Sequence, residues 1–80
     1  MNDDILGRVI RVLAETQRIP AEGITKDSTF EELKIDSLDA IQIIFAIETE
    51  FNINIPDDAA KSVRTVGDLA DGVERLMAGA

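Results

Sequence analysis

The 80-residue chain has no cysteine, no histidine, no tryptophan and no tyrosine. Without cysteine there is no disulfide to staple the fold and no thiolate to hold a metal. Without histidine a Ser-His-Asp arrangement is impossible. Aromatics are limited to three phenylalanines, and no long Val/Thr/Tyr alternation marks a strand, so the chain reads as helical. No stretch approaches the roughly 20 apolar residues of a membrane span. The N-terminus, MNDDILGRVI, is acidic and has no long apolar run, so no signal peptide is expected. A cytoplasmic protein that does not insert into membranes is the expectation.

What is present is aliphatic and acidic. Hydrophobic residues make up 45% of the chain, mostly Ile, Leu, Val and Ala. They must supply the stability, because a chain this short buries only roughly 60–65% of the surface its unfolded form exposes. The net charge is −8, which repels nucleic acid and anionic membrane surfaces and favours a basic protein partner. Its distribution is uneven. Over residues 36–58 the charged side chains are Asp36, Asp39, Glu48, Glu50, Asp57 and Asp58, with no base among them.

The pattern predicts a single domain over residues 1–80, an all-α, small four-helix bundle of three main helices and one short one, with a long first loop. The first helix starts near Asp3 or Asp4, whose carboxylates suit an N-cap. Ile5, Leu6, Val9, Ile10, Val12 and Leu13 recur at helical spacing, and the pattern ends near Gln17, before Pro20 and Gly23. Residues 18–36 form the connection, pinned to the core by Ile19, Ile24, Phe30, Leu33 and Ile35. Within it, Ser28 and Glu31 have capping-box spacing, which predicts one helical turn over residues 29–33. A second main helix spans Ser37–Phe51, and Pro56 introduces a short one over Asp57–Lys61. The last is capped by Thr65 with Asp68 three residues on. It buries Val66, Leu69, Ala70, Val73, Leu76 and Met77, and it frays over residues 78–80.

On the wheel of the second helix, Ala40, Ile43, Ile44, Ile47 and Phe51 form a core stripe. Leu38, Ile41 and Phe45 widen the apolar arc beyond what an outer helix needs. They either line an internal pocket or are shown to a partner, and the two readings are compatible.

Ser37 begins this helix between Asp36 and Asp39. Serine is a strong N-cap, so its position needs no function. As a nucleophile it lacks a base: Lys34 in an acidic setting stays protonated, and the aspartates repel an oxyanion. No residue is therefore assigned a catalytic role. The acids lack the spacing and central glycine of a calcium loop, so no metal is expected. Attachment of a phosphodiester at a helix N-terminus remains physically permitted. The residues alone do not choose between cap and attachment point.

The stretch LKIDSLDAIQIIFAIETEFNINIPDD resembles the signature region of acyl carrier proteins, with Asp-Ser-Leu, an acidic residue, an apolar helix, Glu-Phe and Ile-Pro-Asp in order. The likeness extends over nearly the whole chain, to the Thr-Val-Gly-Asp-Leu start of the last helix. It implies that Ser37 carries 4′-phosphopantetheine, transferred from coenzyme A by a phosphopantetheinyl transferase, and that the arm's thiol holds acyl groups as thioesters. The chain would then be a monomeric carrier, loaded and served by separate acyl-loading and acyl-processing enzymes of fatty-acid or related metabolism. Asp36, Asp39, Gln42, Phe45 and Glu48 match positions that face basic docking patches on such enzymes, with Ile55 and Asp57 flanking them. Two residues depart from the family pattern. Lys34 stands where many members have glycine, and Gln42 where Glu is common. They point to the alternative of a dedicated carrier for a specialised acyl or aminoacyl group, in a polyketide, lipid or peptidyl-type pathway. An acidic interaction bundle with no prosthetic group is the third reading.

Overall fold

The structure, a computed structural model, describes the backbone of residues 2–79 and the side chains of residues 5–78. Its helices are α1 (Asn2–Gln17), α2 (Ser37–Phe51), α3 (Asp57–Lys61) and α4 (Val66–Gly79). The expected all-α bundle is observed, and no strand occurs among the described residues.

α1 starts at Asn2, so Asp3 and Asp4 fall inside its first turn instead of capping it, and their side chains lie outside the described residues. It ends where expected. Arg18 turns left-handed (φ 57), the Ile19 N–H reaches back to the Ala14 carbonyl at 3.0 Å, and Pro20 cannot extend the helix. Val9 and Leu13 are fully buried in its apolar stripe, with Val12 beside them. This face packs against both α2 and α4. At the edge of the α1–α2 contact, the Arg8 guanidinium holds Glu50 Oε2 at 2.9 and 3.0 Å and lies 4.3 Å from the Phe51 ring centroid. This clasp ties α1 to the last turn of α2.

The connection between α1 and α2 is held as its apolar residues predict. Ile24 is buried, and Ile19, Phe30, Leu33 and Ile35 pack against the core. A short 3-10 turn over Ala21–Gly23 was not foreseen. The capping box is displaced by one residue from the expected Ser28–Glu31 pair. Thr29 Oγ1 accepts the Glu32 N–H at 3.0 Å, while Glu32 Oε1 accepts the Thr29 N–H at 3.1 Å. Ser28 Oγ instead accepts the Thr25 N–H at 3.0 Å. The segment makes one hydrogen-bonded turn and no longer helix.

The tertiary setting explains the displacement. Thr29 pairs antiparallel with Thr65, and the carbonyls of Lys26 and Ser28 accept the N–H groups of Gly67 and Val66 at 2.8 and 3.0 Å. The long connection thus satisfies the first amides of α4, which have no partner inside the helix. The expected box at the start of α4 is present as well. Thr65 Oγ1 accepts the Asp68 N–H, and the Asp68 carboxylate accepts those of Arg64 and Thr65. Val66, Leu69, Ala70 and Val73 are buried and Leu76 is half-buried. Met77 is not part of the core: it is 41% exposed, because it shares the stripe's direction but sits in the last turn, where the stripe runs past the core. The helix continues through Gly79 instead of fraying from residue 78, and Ala80 lies outside the described residues.

Two outcomes follow from these contacts. A Cβ at Gly67 would lie 2.9 Å from the Lys26 carbonyl oxygen, with backbone on both sides of the clash. Gly67→Ala should cost about 1–3 kcal/mol in urea unfolding. Gly72→Ala, with nothing within 4 Å, should be neutral or stabilising by up to about 1 kcal/mol. Equal midpoints for the two variants would contradict the close approach.

The second outcome concerns acid. The Arg64 and Thr65 backbone N–H groups hold the Asp68 carboxyl below its ordinary pKa of 3.8. A folded-state value below the unfolded one means the contribution is complete above the ordinary carboxylate range and lost as pH falls through the folded value. The stability gap between native protein and Asp68→Asn should therefore be widest near neutral pH and shrink below about pH 4. A gap independent of pH, followed by urea unfolding, would rule this out.

Candidate functional site

Ser37 is the first residue of α2, and it does not cap it. Asp36, in extended conformation (φ −89, ψ −175), is the N-cap: its Oδ1 accepts the Asp39 N–H at 2.9 Å. Asp39 Oδ2 returns a longer contact of 3.5 Å to the Asp36 N–H. The two aspartates cap the helix between them and leave the Ser37 hydroxyl without a structural task. It is exposed and makes no side-chain hydrogen bond among the described residues. The reading of Ser37 as a cap is thereby excluded. Asp39 is itself half-buried, less free than a plain surface carboxylate.

Lys34, three residues earlier, ends the turn before α2 in a left-handed conformation (φ 59). This region favours glycine and costs an ordinary residue about 1–2 kcal/mol. Its ammonium is exposed and forms no ion pair among the described residues.

Ser37 opens onto a cavity of about 640 Å³. Ala40, Ile44 and Glu48 continue its α2 wall, and the opposite wall comes from Ile55, α3 and Val63, with Phe30 contributed by the long connection. Ile41 and Phe45 line it while remaining 53% and 63% exposed. These side chains are thus both cavity wall and exposed surface. Leu38, 72% exposed, does not line the cavity and is purely surface.

Of the residues singled out from sequence, Ser37, Phe45, Glu48, Ile55 and Asp57 thus meet around one cavity, with Asp36 and Asp39 beside its mouth. Gln42 is exposed on α2 outside the lining. Ile55 is buried, so it is a wall of the cavity more than a presented side chain. Lys61, Asn54 and Val63 also line the cavity and were missed; the i, i+4 spacing from Asp57 was the available signal for Lys61. Among the described residues no group of acids could hold a metal ion.

The family model described as "Phosphopantetheine attachment site" matches residues 7–73. An acyl carrier protein of Sinorhizobium fredii (strain NBRC 101917 / NGR234) is 38% identical over 76 residues, covering 94% of this chain and 97% of its own length. The chain belongs to the acyl carrier protein family. Acyl carrier protein AcpP of Rhizobium meliloti (strain 1021) is equally similar, at 38% identity over 76 residues and the same coverage. The crystal structure of an acyl carrier protein from Thermotoga maritima superposes with a TM-score of 0.85 at 27% identity, covering 98% of this chain and 92% of that one. Acyl carrier proteins are carriers and not catalysts.

The division of labour at the start of α2 is open to test. Asp36→Ala removes the cap and should cost about 1 kcal/mol. Ser37→Ala should stay within about 0.5 kcal/mol of the native protein, as an exposed residue without partners does. The reverse order in urea unfolding would return the capping role to the serine.

Proposed function

We propose that the chain is an acyl carrier whose Ser37 bears 4′-phosphopantetheine. The observation that carries this reading is the exposed hydroxyl at the mouth of an apolar cavity, relieved of capping by Asp36 and Asp39. The residues present fit such a group. The first turn of α2 directs amide N–H groups and the positive end of the helix dipole toward a phosphodiester on Ser37. Lys34 and Lys61 add cations near an otherwise acidic face. Solvent exposure lets a separate enzyme reach the hydroxyl and supply the base that this histidine-free chain lacks. When bound, the group supplies the thiol that the chain does not have, able to hold acyl groups as thioesters.

The chain's own side chains then have two tasks. Ile41, Ile44, Ile55 and Val63 offer an apolar surface next to the attachment point, which shields an acyl chain from water. Asp36, Asp39, Gln42, Phe45, Glu48 and Asp57 form the docking region for basic patches on a phosphopantetheinyl transferase and on acyl-loading and acyl-processing enzymes. The uninterrupted acidity of residues 36–58 speeds and orients that encounter. A cytoplasmic monomer serving fatty-acid or related acyl metabolism is the reading. No helix among the described residues is long and apolar enough to cross a membrane.

A second reading, a dedicated carrier for a specialised acyl or aminoacyl group, draws on two observations. Lys34 keeps a cation in a glycine-like conformation close to Ser37, and Gln42 leaves an exposed position of α2 neutral.

Incubation with coenzyme A, magnesium and a broad-specificity phosphopantetheinyl transferase should raise the intact mass by one phosphopantetheine. Ser37→Ala should abolish the increment without unfolding the chain. If the native protein stays unmodified while a known carrier is modified in parallel, the carrier reading fails.

A further inference from the structure

Glu48 differs from the other carboxylates of α2. It is half-buried, and its Oε2 accepts the N–H of Ile55 at 2.8 Å, across seven residues. Its backbone carbonyl also accepts the N–H groups of Asn52 and Ile53, the former a left-handed residue at φ 55. One residue therefore turns the chain at the end of α2 and fixes the following segment back against that helix.

The fixed segment is a wall of the cavity. Glu48, Asn54 and Ile55 all line it, and Ile55 is only 8% exposed. Ile55 lies between α2 and α3, so no helical ladder takes its N–H, and the carboxylate is the acceptor that does. A buried amide that loses its acceptor is costly, and the segment relieves that cost by moving toward water.

We propose that Glu48 is a positioning residue that keeps the connection between α2 and α3 closed as a cavity wall, and so sets how well an apolar chain is retained there. What occupies the cavity rests on the carrier reading above; the hydrogen bond does not. The role belongs to the acceptor atom more than to the charge. A glutamine side chain presents a carbonyl oxygen at the same reach, whereas alanine presents none. For a carboxylate used only in docking, neither Gln nor Ala would change the exchange of the Ile55 amide or the shelter of a chain in the cavity.

The test uses the full chain as native protein, Glu48→Gln, Glu48→Ala and Thr65→Ala. The last removes a helix cap away from the cavity and controls for a general loss of stability. Exchange of the Ile55 amide is followed by NMR on the unmodified chains. In parallel, an octanoyl-pantetheine arm is installed from octanoyl-coenzyme A, and its cleavage by hydroxylamine is timed. Glu48→Ala should accelerate both processes about ten-fold, and Glu48→Gln and Thr65→Ala should stay within about three-fold of native. The proposal is overturned if Ile55 exchange is unchanged in Glu48→Ala, if Gln is as deficient as Ala, or if Thr65→Ala exposes the octanoyl group as much as Glu48→Ala does. Failure of native protein to accept the arm would sink the carrier reading instead, and the exchange measurement alone would then decide the role of Glu48.

Discussion

With no disulfide available, the molecule depends on one aliphatic contact layer. The stripe of α1 centred on Val9 and Leu13 fills the space between α2 and α4. Each fully buried side chain of this kind is worth about 1.5–3 kcal/mol relative to exposure, and no other source of comparable size exists in so short a chain. The same layer determines what is left over. Because α1 occupies the Ile43, Ile47 and Phe51 side of α2, the Ile41 and Phe45 side has no long helix against it. The five-residue α3, its flanking segments and Phe30 of the long connection face it, and the gap that remains is the cavity. An economical core and a vacant apolar space are two results of one packing choice.

The acidic residues have more structural work than a charge count implies. Asp36, Asp68 and Glu32 satisfy amides at the starts of turns and helices, Glu50 clasps Arg8, and Glu48 holds Ile55. Such local bonds to backbone N–H groups survive salt better than long-range attraction, which is screened over about 10 Å at 0.1 M. Asp57 and Asp58 make no such bond among the described residues and stay exposed at the first turn of α3. The acidity left unengaged at the surface is therefore smaller than the run of residues 36–58 suggests. Leu38, Ile41 and Phe45 lie exposed on the same helix, α2.

Much of this was legible in the chain because its signals are local. The bounds of α2 and α3 and the Thr65–Asp68 box follow from apolar periodicity, proline and capping residues within a few positions. What was not legible depended on distant partners. Ser28–Glu31 and Thr29–Glu32 satisfy the same spacing rule, and only the pairing of Thr29 with Thr65 decides between them. Arg8 cannot be matched to Glu50 without knowing that α1 crosses the end of α2. Met77 had the correct direction on its helix, but a wheel carries no information about where a core ends. At Ser37 the ambiguity between cap and attachment point was real, since aspartate and serine are both strong caps. The geometry of Asp36 resolves the capping part of it.

The central claim is that Ser37 is free for modification because its neighbours do the capping. The most direct measurement is the intact mass of the protein purified from its own cells, followed by fragmentation to locate any added group. The account predicts one phosphopantetheine, bare or acylated, on the fragment that contains Ser37. A group found on another residue, or an unmodified chain from cells whose other carriers are modified, would contradict it.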